Sequence, residues 1–194
     1  MNEQLENLFK EHNGYLSANQ LRGSSVRYHL NKMIASGEVQ KVRHGLYFHL
    51  AYQQFDERTL VAEMIPNGVF CLFTAWQYFH LSTTVSHQYH IAIHRNTKIN
   101  LPEYPPISLY YWSDKVYTIG ITEIQIAGKA VKCYNKERSV CDAVKFRNKV
   151  GEEIMQEVLK AYMKTLDKNM DRLLEYAKML RIEKIILPYL KALI

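Results

Sequence analysis

A change of hydrophobic period is the feature that most constrains this chain. Between His87 and Asn135 the runs "YHIAIH", "ISLYYW", "TEIQIAG" and "AVKCYN" are short, rich in β-branched and aromatic residues, and divided by Pro, Asn and Gly. Such runs read as strands, and the pair around "AGKA" reads as a hairpin. After Asn135 the spacing turns to three and four. Ile154, Val158 and Tyr162 line one helix, and Leu173, Leu174, Ala177 and Leu180 line the next. Ile182, Ile185, Ile186, Tyr189 and Leu193 line a last helix, which Pro188 is expected to break or kink. Short strands followed by a helical bundle predict an α+β domain over residues 87–194.

The first fifty residues follow a different plan. Leu5, Leu8 and Phe9 form an apolar stripe that Gly14 ends. Ser17 and Gln20 fit a capping box that starts a second short helix, fading near Gly23. Ser24 or Ser25 would cap a third helix with Val26, Leu30, Met33 and Ile34 on one side, stopped by Gly37. "EVQKVRHGLYFHL" then reads as two strands turning at His44–Gly45, with Leu46, Phe48 and Leu50 on one face. Three helices and a hairpin are the order of a winged helix-turn-helix, assigned to residues 1–52. Residues 53–86 read as a helical connection, with helices near Leu60–Ile65 and Cys71–Leu81 parted by "PNG".

The third helix carries Ser24, Ser25, Arg27, Tyr28, Asn31 and Lys32 away from its apolar side. Arg and Lys neutralise phosphates or reach guanine edges, Asn can pair with adenine, and Ser and Tyr donate to phosphate oxygens. Lys41, Arg43 and His44 sit at the hairpin tip, where a wing would touch backbone or minor groove. From Arg22 to Arg43 there are five basic residues and one acid, Glu38. Similar residues also decorate solvated helices that bind nothing; it is the order of elements together with the basic tip that favours DNA. The net charge of +6 agrees with a polyanionic partner.

Other chemistries lack their residues. His90 and His94 would share a strand face about 13 Å apart at ~3.3 Å per residue, too far to hold one metal ion together. No phosphate loop, G-x-S-x-G or H-E-x-x-H occurs, so neither an enzyme nor a cofactor is expected. Cys71, Cys133 and Cys141 are scattered and odd in number, which points to reduced core thiols in a cytoplasmic protein. The acid-bearing start "MNEQLENLFKEHNG" argues against a signal peptide, and no apolar run approaches the roughly 20 residues of a membrane span.

In "NKERSVCDAVKFRNKVG", Arg138, Asp142, Lys145 and Lys149 are spaced to share one helix face. From Lys129 to Lys149 seven basic residues stand against Glu137 and Asp142. Two readings follow: a solvated, salt-bridged helix, or a basic docking surface in which Asp142 organises the arginine.

Taken together the chain resembles the AbiEi family, antitoxins of AbiE-type (type IV) toxin–antitoxin systems of phage abortive infection that also regulate transcription. The resemblance runs from about residue 5 to the C-terminus. It rests on "SGEVQKVRHGLYF", on "HIAIHRNTKINLPEYPPISLYYW" with its Pro-rich turn, and on the long stretch from Gly120 to Met163. That last stretch places Tyr134, Arg138, Asp142, Arg147, Asn148, Lys149 and Gly151 at motif-like positions, and departs from the pattern at Cys141. The resemblance implies a winged helix that binds inverted repeats in its own promoter and represses the operon. It also implies a C-terminal domain that neutralises a nucleotidyltransferase-like toxin encoded alongside, with no stable complex required. Arg138, Asp142, Lys145, Arg147 and Lys149 are the residues expected to carry antitoxicity. The alternative is a plain winged-helix regulator whose second domain senses a ligand or dimerises.

Overall fold

The computed structural model describes residues 3–12, 14–52, 56–101 and 105–193. Residues 53–55 of the expected connection, residues 102–104 of the Pro-rich turn and the side chain of Arg43 lie outside what is described. The chain forms two compact units, residues 1–66 with 100–103, and residues 67–99 with 104–194. The segment 53–86 is divided between them.

In the first unit, α1 (Glu3–Glu11) leads to β1 (Tyr15–Ser17), one 3₁₀ turn (Ala18–Gln20), α2 (Ser24–Ala35), β2 (Val39–Arg43), β3 (Leu46–His49) and, after the connection, α3 (Glu57–Met64). The three strands make an antiparallel sheet in the order β1–β3–β2. Leu5 and Phe9 of α1 and Val26 and Leu30 of α2 are buried with Leu16, Leu21 and Val39 in one apolar cluster. The stripes of both helices therefore face inward as their spacing requires.

Two local expectations fail here. The second helix shrinks to the 3₁₀ turn, because Tyr15–Ser17 is taken into the sheet opposite Leu46–Phe48. The capping pair still forms in part, with Gln20 Oε1 accepting from the Ser17 amide at 2.7 Å and from its hydroxyl at 3.1 Å. The cap of α2 is Gly23, with no side-chain cap bond, so Ser24 and Ser25 lie inside the first turn.

The second unit opens with a strand the sequence pattern did not indicate, β4 (Val69–Phe70), then α4 (Leu72–Tyr78). β5 (Tyr89–His94), β6 (Ile107–Trp112), α5 (Asp114–Tyr117), β7 (Ile121–Ile126) and β8 (Lys129–Tyr134) follow. The helices are α6 (Lys136–Lys145), α7 (Arg147–Val150), α8 (Glu152–Met163), α9 (Met170–Met179) and α10 (Glu183–Leu193). Helix α10 runs through Pro188 instead of breaking there. The sheet order is β6–β5–β4–β8–β7, parallel at β5/β6 and β4/β8 and antiparallel elsewhere. Mixed sheet and packed helices make the fold α+β.

Helix α6 is the centre of this unit. Every residue from Glu137 to Val144 is buried, and the helix packs against α4, α8, α9 and α10. Trp76 of α4, fully buried, donates its indole N–H to the Ser139 carbonyl at 2.9 Å. Cys71, Cys133 and Cys141 are free and buried, and burial raises each thiol pKa, which keeps them unreactive. Among the described residues no helix is long and apolar enough to cross a membrane.

Candidate nucleic-acid interface

Because α2 buries Val26 and Leu30, its opposite side faces solvent. Ser24, Ser25, Arg27, Tyr28, Asn31 and Lys32 are all exposed. Arg22, which precedes the helix and was not singled out from the sequence, is exposed beside them. The helix contains no acidic residue. Among the described residues Arg22, Arg27, Lys32 and Lys41 make no ion pair. The one acid of this stretch, Glu38, is occupied locally by the Ser36 hydroxyl at 2.7 Å. With Gly23 as its cap, α2 also keeps its first-turn amides clear of side-chain acceptors, an arrangement suited to a phosphate oxygen.

The hairpin tip lies at the end of β2 and β3. Lys41 pairs with Tyr47 and Arg43 with Leu46, a register shift that makes a bulge at Val42. Bulges increase local twist and re-aim the strand end. Lys41 and His44 are exposed, and the tip is anchored where the Ala18 amide donates to the Gly45 carbonyl at 2.7 Å. The 3₁₀ turn that replaced the second helix thus holds the hairpin tip.

The basic helix of the second unit behaves differently from either expectation. Arg138 and Asp142 are 0% exposed, so they belong neither to a solvated face nor to a docking surface. Arg138 Nε donates to Asp142 Oδ1 at 2.9 Å, and Nη1 donates to the carbonyls of Val116 at 2.6 Å and Ile119 at 3.0 Å. The guanidinium lies 4.2 Å from the Tyr134 ring centroid and 5.3 Å from that of Trp112. Burial opposes its charge, yet Asp142 and Tyr134 beside it hold the pKa above the ordinary arginine value. Total burial pushes the Asp142 carboxyl up, against the pull of Arg138.

The reason for this burial is topological. Strands β6 and β7 are the two edges of the sheet, so residues 113–120 must span its full width. Arg138 fastens that crossover through two of its carbonyls, and Tyr134 fastens a third by donating to the Tyr117 carbonyl at 2.9 Å. Gly120 closes the crossover at φ +76°, where an added Cβ would stand 2.6 Å from Arg138 Cβ. Asn135 caps α6 by accepting from the Arg138 amide at 3.0 Å. Tyr134, Arg138 and Asp142 are therefore one structural assembly, joined by Gly120 and Trp112.

Lys145 keeps the face of Arg138, its Nζ 5.6 Å from the Trp112 ring centroid, but α6 ends there and the chain restarts as α7, so Lys149 does not continue it. Lys145 is half-buried and donates to the Leu180 carbonyl at 3.3 Å, capping the end of α9. Burial draws its pKa below the ordinary lysine value, with Asp142 opposing. Arg147 is half-buried and donates to the Val144 carbonyl at 3.1 Å. Lys149 is exposed, 5.7 Å from the Phe146 ring centroid. The two histidines weighed as metal ligands also part company. His90 is buried between Ser86 Oγ at 2.9 Å and Tyr110 Oη at 2.8 Å, whereas His94 contacts Asp114. No protein-family model matches the chain, and no curated protein matches it in sequence.

Proposed function

We propose that this chain is a DNA-binding antitoxin, with operator recognition in the first unit and toxin neutralisation in the second. The observation that carries the DNA half is the outward face of α2. It combines exposed Arg27, Tyr28, Asn31 and Lys32 with no acidic residue on the helix, beside a basic, bulged hairpin. Two helices backed by a three-stranded sheet, in this order, fit a winged helix with its helix-turn-helix turn tightened to 3₁₀. A helix of this kind enters the major groove while the hairpin meets the backbone. The operator is expected to be inverted repeats in the chain's own promoter.

The antitoxin half rests on the family resemblance of the second unit. Burial of Arg138 and Asp142 assigns them to holding α6 and the crossover in place, and leaves Lys145, Arg147 and Lys149 as the basic surface offered to a nucleotidyltransferase-like toxin. The same burial favours a second reading: a plain regulator whose second unit is only a sensor or dimerisation domain.

Fluorescence anisotropy with a duplex from the chain's own promoter, over a range of salt, tests the DNA half. Log affinity should fall linearly with log salt, by about 0.9 per phosphate contact. Weak, salt-insensitive binding would make the first unit a protein-docking module. Arg147→Glu/Lys149→Glu should bind the promoter like wild type and fail to neutralise the toxin. Retained neutralisation would remove that surface from the account.

A further inference from the structure

Within the DNA-reading role proposed for α2, on which this step rests, the residues of the helix face are not equivalent. At about 100° per residue, Val26 and Leu30 define a buried direction, and Tyr28 projects about 180° from their mean. Tyr28 is therefore the side chain aimed straight away from the core. It is 68% exposed, the one exposed large aromatic among the described residues of the first unit. Arg27 and Lys32 leave the helix on opposite sides of it, toward where groove walls would carry phosphates, with Asn31 and Ser24 close by.

The ring is also held. His29 packs edge-on against it, centroids 5.5 Å apart and planes at 89°. The His29 ring is fixed in turn by its Nδ1, 2.8 Å from the Ser25 carbonyl one turn back. That contact requires Nδ1 to carry the proton, which sets the tautomer. A rigid aromatic body at the centre of a groove-facing helix presents an apolar surface where base edges lie, and the apolar group on the major-groove floor is the thymine C5 methyl. The neighbouring Asn31, three residues on, carries the amide that pairs with adenine N6 and N7.

We infer that Tyr28, positioned by His29, is a specificity-determining residue that reads a thymine methyl at an A·T pair in the centre of each half-site. In this account its hydroxyl is dispensable and its ring carries the recognition, in contrast to a phosphate contact.

The full-length chain would be used to select binding sites from a random-sequence duplex pool. The enriched sites should contain an A·T pair at a fixed position, and deoxyuridine in place of that thymidine should weaken binding about fourfold, the size of one withdrawn methyl group. Tyr28→Phe should select the same pair and keep the deoxyuridine penalty. Tyr28→Ala should lose both while melting at the wild-type temperature. His29→Gln should shrink the penalty and leave the salt dependence of binding unchanged. The inference is overturned if Tyr28→Ala keeps the thymine preference, or if wild type binds its selected site with no deoxyuridine penalty. A uniform loss of affinity for all sequences in Tyr28→Phe would also overturn it, by assigning the hydroxyl to a phosphate. A pool that yields no enriched sequence removes the DNA reading itself and this inference with it.

Discussion

Replacing Arg138 by methionine isolates what the buried cation does. The change keeps much of the side-chain length and removes the charge with three hydrogen bonds, to Asp142, Val116 and Ile119. Asp142, 0% exposed, becomes an uncompensated buried carboxylate, which costs about 3–5 kcal/mol. The two crossover carbonyls lose their donor, and an orphaned buried carbonyl adds about 1–3 kcal/mol. The sum of about 5 kcal/mol or more reaches the lower end of the stability of an entire domain, about 5–15 kcal/mol. Arg138→Met/Asp142→Leu strands no charge and should recover about 3–5 kcal/mol, leaving only the carbonyl deficit. Urea unfolding followed by tryptophan fluorescence suits the test, because both tryptophans, Trp76 and Trp112, belong to the second unit.

The sign of the pH dependence is a second check on the same variant. In Arg138→Met the folded-state pKa of Asp142 lies above its unfolded value, so the folded state binds the proton more readily. Its penalty should be full at neutral pH and relax as pH falls through the folded pKa toward about 4. A single-variant loss below about 1 kcal/mol, or a double variant no more stable than the single, would refute the reasoning, since a buried charge pair cannot lose one partner so cheaply.

Other perturbations follow from the same geometry. Gly120→Ala should cost about 2 kcal/mol or more by thermal melting, combining the left-handed backbone at φ +76° with a Cβ driven against Arg138; a shift within error would remove Gly120 from the assembly. His90 is held at about 4 by burial against an ordinary 6.5, so its contribution is complete above 6.5 and is lost as pH falls toward 4, about 3 kcal/mol in all. His90→Gln should flatten the acid limb of the stability profile over that window, and an unchanged limb would contradict it. Lys32→Ala should weaken binding to all DNA sequences alike, reduce the salt slope by about 1, and leave the melting temperature unchanged; an unchanged slope would exclude a phosphate contact.

Much of the fold was legible where pattern and punctuation agree. β5 and β6 coincide with "YHIAIH" and "ISLYYW" residue for residue, since these β-branched and aromatic runs are bounded by polar and turn-forming residues, Arg95–Asn96 after the first and Pro106 and Ser113 around the second. β1 and β4, with three and two residues, are too short to show any period, and pairing alone creates them. The loss of the second helix follows from β1, because residues taken into the sheet cannot also start a helix. The exposed face of α2 was readable from its apolar stripe, whereas its cap passed to Gly23.

The burial of Arg138 and Asp142 was obscured because an i, i+4 ion pair looks the same in sequence on a wet helix as on a dry one. A usable sign was nevertheless present in Val140, Cys141, Ala143 and Val144, which flank the Arg138–Asp142–Lys145 row with apolar residues and leave α6 too narrow a polar side for a wet helix. The crossover that needs the arginine could not be read, because it depends on β6 and β7 being opposite edges of one sheet.

The most direct measurement of the central claim is growth of a bacterial host that expresses the neighbouring gene, alone and together with the full-length chain. The account predicts that the neighbour arrests growth, that the full-length chain restores it, and that Arg27→Glu/Lys32→Glu, deprived of DNA binding, restores it equally well. A harmless neighbour, or arrest that the full-length chain does not relieve, would contradict the antitoxin assignment and leave a plain transcriptional regulator.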